Sequence, residues 1–328
     1  MNIAVAALAT LLTLAAAPAL AVGFERVTVP DPDGPPLEAG IWYPSEAPAS
    51  PQPLGLFVQT VATGAPVAGR GLPLVVMSHG TGGTFEGHYD TALALAEAGF
   101  VVASITHTGD NYRDQSAFGR VETRPRHIKA LIDYMLAAWP RHDVLDPSRI
   151  GMFGFSAGGF TALVAIGGAP DMARVASFCV THPDDWACNR ARELRRGSPL
   201  PPAPPSAFVH DPRIAAAAIA APAIGYVFTP EGLSGVKVPI QLWRGDQDEI
   251  LAHPYHAQNV YDGLSIKPEY RVVPNAGHFA FLAPCSASLQ SIAPDICRDP
   301  AGFDRAAFHR EFNAAAVAFF KAKLPPRP

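Results

Sequence analysis

Three short stretches of this chain carry side chains whose types and spacing could do chemistry together. Gly154-Phe155-Ser156-Ala157-Gly158 sets a serine between two glycines, after an apolar run that begins at Ile150. Arg244-Gly245-Asp246-Gln247-Asp248-Glu249 directly follows Ile240-Gln241-Leu242-Trp243. Pro274-Asn275-Ala276-Gly277-His278-Phe279 directly follows another short strand-like run, 270–273. A serine hydroxyl is a poor nucleophile at neutral pH until an imidazole takes its proton and a carboxylate steadies that imidazole. Ser156, then a carboxylate near 248, then His278 is a chain order in which such a relay is known to occur. The chemistry to expect is nucleophilic acyl transfer.

The spacing around the serine has a physical reason. A nucleophile held at a sharp strand-to-helix turn needs neighbours without bulky Cβ substituents, which Gly154 and Gly158 provide. The N–H of Ala157, at the start of the departing helix, would then point at the same space as the hydroxyl. Acyl transfer also needs a second N–H for the developing oxyanion. The loop Ser78-His79-Gly80-Thr81-Gly82-Gly83, after the run Leu74-Val75-Val76-Met77, can supply it, and we assign it to Thr81. His79 precedes the nucleophile and reads as a loop brace. Asp248 is the expected acid because it lies beyond the turn that Gly245 would make. Asp246 and Glu249 remain its competitors, with local turn chemistry as their alternative role.

These loops require a scaffold. The segments 24–29 and 37–43, joined through a turn-rich Asp/Gly/Pro stretch, read as an opening hairpin, and 44–72, rich in Pro, Gly and Ala, as irregular surface chain. Short continuous apolar runs at 74–77 and 100–105 read as strands buried on both faces, and the parallel-sheet patterning continues at 150–155, 214–221, 239–243 and 270–273. Helical spacing over 89–98, 126–139, 157–166 and 305–323 alternates with them. The expected fold is α/β: a mainly parallel, doubly wound sheet with helices on both faces. The alternation breaks over 170–212, which holds two cysteines, a basic cluster from Arg190 to Arg196 and a Pro-rich run. This insertion is expected to form a lid over the strand ends, with the basic cluster as a solvated helix face.

Composition narrows the class. The 328 residues are 48% hydrophobic and 16% charged with a net charge of −4, which suits a compact globular chain. Without a long basic run no nucleic-acid surface is expected. Residues 1–21 read as a secretory signal, an apolar stretch closed by Pro18 and Ala19-Leu20-Ala21, leaving 22–328 as a single domain that is exported without stable membrane insertion. The four cysteines fit an oxidising compartment, and of three possible connectivities the local pairs Cys179–Cys188 and Cys285–Cys297 close the shortest loops. Neither pair has zinc-type spacing, and Pro254 disfavours a helical metal face for His253 and His256. No metal or other cofactor is expected. His107 lies just past a strand end and is placed near the pocket.

Taken together, the chain resembles the α/β-hydrolase superfamily over its mature length. Ser78 to Gly83, His107-Thr108-Gly109-Asp110-Asn111 with Arg113-Asp114, Arg124-Pro125-Arg126, Gly154 to Gly159 and Ala276-Gly277-His278 resemble the bacterial predicted dienelactone hydrolase group, itself similar to the platelet-activating-factor acetylhydrolases. The resemblance implies a cofactor-independent serine carboxylic-ester hydrolase with Ser156, Asp248 and His278 as triad and Thr81 and Ala157 as oxyanion donors. Small, medium or polymeric esters are its implied substrates. True dienelactone hydrolases use a cysteine nucleophile, so the group's name does not carry the substrate. An amidase or peptidase with the same triad, and a non-catalytic binding module on the same fold, are the alternatives.

Overall fold

A computed structural model of the chain describes residues 21–195 and 203–326. The expected signal segment therefore lies outside the described residues apart from Ala21, which opens the first strand. Part of the Pro-rich run and Arg196 lie outside them too.

The described residues form one ten-stranded sheet in the order β10-β9-β8-β7-β5-β6-β2-β1-β4-β3. Its strands are β1 (Ala21–Val29), β2 (Leu37–Ser45), β3 (Ser50–Leu54), β4 (Phe57–Thr63), β5 (Leu72–Ser78), β6 (Val101–Ile105), β7 (Leu145–Phe155), β8 (Ile214–Ala220), β9 (Ile240–Gly245) and β10 (Glu269–Val273). From β6 to β10 every neighbouring pair is parallel. β2 runs antiparallel to both β1 and β6 and begins a different half.

The inner parallel strands are largely apolar on consecutive residues because each face meets its own helix layer, whereas β10, expected to continue that patterning, is an edge strand in which only Val273 is buried. Leu74 and Val76 of β5 join the core that contains Ile128, Leu131 and Phe160, whereas Val75 and Met77 join the core that contains Leu95, Phe312 and Phe319. The first layer is formed by α2 (Thr123–Ala137) and α3 (Ala157–Ala165), the second by α1 (Tyr89–Glu97) and α8 (Arg305–Lys323). Gly99, at φ +99, lets the chain leave α1 and enter β6, as a left-handed helix exit favours. Asp304 caps α8 by accepting the Ala307 N–H at 2.9 Å, and Lys321 and Lys323 sit in its last turn, where cations complement the helix dipole.

The winding reverses at β5. The chain leaves β5 through α1 to β6 on one side, then crosses through α2 to β7 on the other. Such reversals open a crevice at the carboxyl ends of the diverging strands, between the loops after β5 and β7.

One expectation needs correction. Segment 44–72 is not irregular: β3 and β4 pair antiparallel around the two-residue loop Gly55-Leu56, with Gly55 at φ +55 as a tight hairpin requires. Two features hid it. Pro51 and Pro53 argue against a strand, yet β3 is the outermost strand, where a missing N–H is tolerated. Gln59 interrupts the apolar alternation of β4 but points inward, 2% exposed, to accept the Trp42 indole N–H at 2.7 Å.

Between α3 and β8 the chain forms α4 (Arg174–Thr181) and α5 (Trp186–Arg195), tied to one another by the Cys179–Cys188 disulfide. Between His278 and α8 lies α6's successor α7 (Ala287–Ile292), with α6 (Ala257–Gly263) preceding β10, and Cys285 bonds Cys297 beside α7. Both disulfides are the local pairs expected from sequence. Among the described residues no helix is long and apolar enough to cross a membrane.

Candidate active site

Ser156 stands between β7 and α3 at φ +55 and ψ −116, a conformation ordinarily costly for a residue with a Cβ. The surrounding backbone holds it there. Its N–H donates to the Ala220 carbonyl at 3.0 Å, and its own carbonyl accepts from Ala223 at 2.9 Å and Gly159 at 2.8 Å. A Cβ on Gly154 would meet the Gly158 carbonyl oxygen at 2.1 Å, and one on Gly158 would meet the Ser78 carbonyl oxygen at 1.9 Å. Both glycines are thus required by close backbone approach, the reason anticipated from their spacing.

The acid and histidine loops emerge at the ends of β9 and β10 and are stitched together. Asp246 N–H donates to the Val273 carbonyl at 3.1 Å and Gln247 N–H to the Ala276 carbonyl at 3.0 Å. His278 Nδ1 lies 2.9 Å from Asp248 Oδ2, and its Nε2 lies 3.1 Å from Ser156 Oγ. The structure therefore brings together Ser156, His278 and, of three candidate acids, Asp248. Asp246 is exposed to solvent, and Glu249 accepts the backbone N–H of His278 at 3.2 Å, holding the loop instead of the ring.

Burial pushes the Asp248 carboxyl upward, but the His278 ring beside it and the N–H groups of Leu251 and Ile250 outweigh that push and hold it below the usual carboxylate range. An ionised Asp248 fixes His278 with its Nδ1–H toward the carboxylate and leaves Nε2 free to accept the serine proton. Series of this kind are how serine hydrolases make a nucleophile.

Among the described residues, no acceptor takes the N–H of Thr81 or of Ala157. The Thr81 loop is held from below by a buried polar cluster. Arg124, 1% exposed, donates to the His79 carbonyl at 2.6 Å and faces Asp110 at 3.5 Å, and Asp110 in turn accepts the Gly82 N–H at 3.2 Å. His79 accepts the His107 N–H on Nε2 at 3.0 Å, which leaves Nδ1–H to donate to the Gly80 carbonyl at 2.6 Å. His79 is a brace, as its place before the nucleophile suggested.

A chain of rings continues the cluster inward. Ser78 Oγ lies 2.8 Å from His107 Nε2, His107 Nδ1 lies 3.1 Å from His127 Nδ1, and His127 Nε2 faces Asp31 at 3.4 Å. Burial lowers all three imidazoles, His127 to about 4 and His79 and His107 well below their ordinary value, with the Arg124 charge adding to the effect. Neutral rings can each donate from one nitrogen and accept on the other, as this chain of contacts requires. His107 therefore supports the site from beneath.

Sequence reasoning missed several supporting residues. Arg124 stood only within the motifs of the family resemblance, Asp110 stood there and beside His107 as a weak metal signal, and His127 and Asp31 gave no signal. His309 on α8 gave none either: its Nε2 donates to the Ala280 carbonyl at 2.9 Å, and its Nδ1 faces Asp90 at 2.6 Å. It thereby pins the short helical turn His278–Phe281 from below. Within the basic cluster of the insertion, Arg192 is exposed as expected, while Arg190 is half-buried. It donates to the Gln115 side chain at 2.8 Å and lines a cleft of ≈ 280 Å³ with Thr81, Gln115, Trp186 and Glu193.

Comparison with known proteins agrees with this fold. The family model of the prolyl oligopeptidase family matches residues 75–180, the stretch from β5 through the serine turn into α4. Among solved structures, the ferulic acid esterase from Streptomyces cinnamoneus superposes with a TM-score of 0.62 at 19% identity, over 94% of this chain and 91% of its own. The chain has the α/β-hydrolase fold. No curated protein matches it in sequence. Within that hydrolase fold the serine, acid and histidine loops occupy the carboxyl ends of β7, β9 and β10, on the crevice opened where the winding reverses.

Proposed function

We propose that the protein is a serine hydrolase that cleaves carboxylic esters through an acyl-enzyme intermediate. The observation that carries this reading is the unbroken series Asp248, His278, Ser156 at 2.9 and 3.1 Å beside two N–H groups for which the described residues supply no acceptor. As Ser156 Oγ attacks the ester carbonyl carbon, its proton passes to His278 Nε2, and Asp248 steadies the imidazolium. The carbonyl oxygen takes up negative charge and is held by the N–H groups of Thr81 and Ala157. Collapse breaks the bond to the alcohol, which leaves with the proton from His278. Water then attacks the acyl-serine, gives a proton to the same nitrogen, and the acid departs as Ser156 recovers its hydrogen.

Esters are favoured over amides by the likeness in fold to a ferulic acid esterase and by the resemblance of the loop motifs to the predicted dienelactone hydrolases. The prolyl oligopeptidase family match supports a second reading, a peptidase or amidase with the same three residues. We further propose that α4 and α5 act as a lid, that residues 1–21 are a cleaved export signal, and that the protein works outside the cytoplasm, where its two disulfides persist.

The test is covalent labelling and matched substrates. An organophosphate should label Ser156 stoichiometrically, and an ester should turn over far faster than the anilide of the same acid. Absence of labelling in folded protein would remove the enzyme reading, while faster anilide cleavage would replace esterase with amidase.

A further inference from the structure

The cleft beside the oxyanion loop carries information about the substrate, and the argument rests on the hydrolase reading above. One wall is Thr81, whose N–H is an oxyanion donor in that reading, so whatever fills the cleft is continuous with the reacting carbonyl. The opposite wall is α5, which presents Trp186, Arg190 and Glu193, and Gln115 closes the space between them.

This wall is held in place from several sides. The Cys179–Cys188 disulfide ties α5 to α4. Asp185 accepts the Ala187 N–H at 2.9 Å at the start of α5 and faces the buried His256 ring at 3.5 Å. Trp186 meets Phe118 edge-on, with ring centroids 6.3 Å apart. Trp186 itself is half-buried and leaves part of its surface open.

The chemistry of the lining is selective. Among the described residues the lining contains no aliphatic hydrocarbon side chain, so an alkyl chain would find little apolar surface to bury there. An aromatic ring finds the indole of Trp186, and an oxygen on that ring finds donors. Arg190 carries five N–H groups, of which one meets Glu193 at 3.1 Å and another Gln115 at 2.8 Å, so hydrogens remain for another acceptor. The Glu193 carboxylate beside it disfavours a second carboxylate.

We propose that this cleft binds an uncharged aromatic group bearing a hydroxyl or ether oxygen, on one side of the ester, with the ring against Trp186 and the oxygen on Arg190 and Gln115. The enzyme would then prefer small oxygenated aromatic esters to long-chain alkyl esters.

Methyl 4-hydroxybenzoate, methyl octanoate and methyl acetate test the acyl side, and 4-hydroxybenzyl acetate against octyl acetate tests the alcohol side. In the wild type the aromatic ester should exceed the octyl ester in kcat/KM in at least one series. Trp186→Ala and Arg190→Gln should each lower the ratio of aromatic ester to methyl acetate by up to about tenfold in that series. Ratios that neither substitution moves, or a preference for the octyl esters in both series, would overturn the proposal. Calorimetry separates this from the reading beneath it. Ser156→Ala should bind one aromatic ester without cleaving it, and adding Trp186→Ala should abolish that binding. Binding by a wild type that hydrolyses no ester would retain the cleft and discard the esterase. Hydrolysis with unmoved ratios would do the reverse.

Discussion

Two buried histidine–aspartate pairs lie close together in this molecule, and they do different work. His278 faces Asp248 at 2.9 Å with side chains 3% and 5% exposed, and His309 faces Asp90 at 2.6 Å with side chains 3% and 17% exposed. In both, burial raises the carboxyl and the neighbouring imidazole more than offsets it, so Asp248 and Asp90 are each held below the ordinary carboxylate range. The pairs differ in what the second ring nitrogen meets. For His278 it is a serine hydroxyl, which can surrender a proton; for His309 it is the Ala280 carbonyl, which has none to give. The same two residue types thus make a base in one place and a clamp in the other, and the clamp holds the turn that carries the base.

The comparison can be broken most directly at the first pair. On an ester substrate, His278→Ala should lower kcat by ~10⁶ and Asp248→Asn by ~10⁴, while Asp246→Asn should stay near wild type. If Asp248→Asn retained near-full activity, the two pairs would not differ in the way described. A smaller effect is expected at the second pair. His309→Gln leaves the triad residues in place but loosens the turn beneath His278, and misplacement on that scale can cost up to ~10² in rate. The loss should fall on kcat more than on KM and be accompanied by a lower melting temperature. A loss as large as that of Asp248→Asn would make His309 part of the chemistry.

The smallest effect concerns pH and histidines held neutral by burial. His88, wedged between Phe153 and Phe155, and His127 are lowered from 6.5 to about 4. Between those values the unfolded chain binds the protons and the folded chain does not, so stability falls as pH drops through that window. Each such histidine contributes a slope of up to about 1.4 kcal/mol per pH unit. The depressed carboxyls Asp90 and Asp248 act later, losing their contribution only as pH falls below about 3.9, the ordinary carboxylate value. Urea midpoints measured at pH 8, 6.5 and 5 should therefore decline already above the carboxylate range; a flat series between 7 and 5 would contradict the neutral assignment.

Much of this was legible in the sequence because it is local. The inner strands β5, β6 and β8 are nearly continuous apolar runs, the helix over 305–323 has a clear period, and Gly154 and Gly158 mark a turn whose backbone leaves no room for a side chain. The hairpin over β3 and β4 was not legible, since a buried glutamine and edge prolines imitate a loop.

The sequence by itself determined the kind of site: a serine on a glycine-framed turn, with a carboxylate loop and a histidine loop following later strands. Only the tertiary structure decided which carboxylate reaches the ring. Asp246, Asp248 and Glu249 are equally near in sequence, and the path of one irregular turn sends them to solvent, to Nδ1 and to a backbone N–H respectively. It alone also paired Asp90 with His309, 219 residues apart. Local periodicity encodes which face a residue shows, but the partner found across the molecule depends on how whole layers pack, and no short-range pattern carries that.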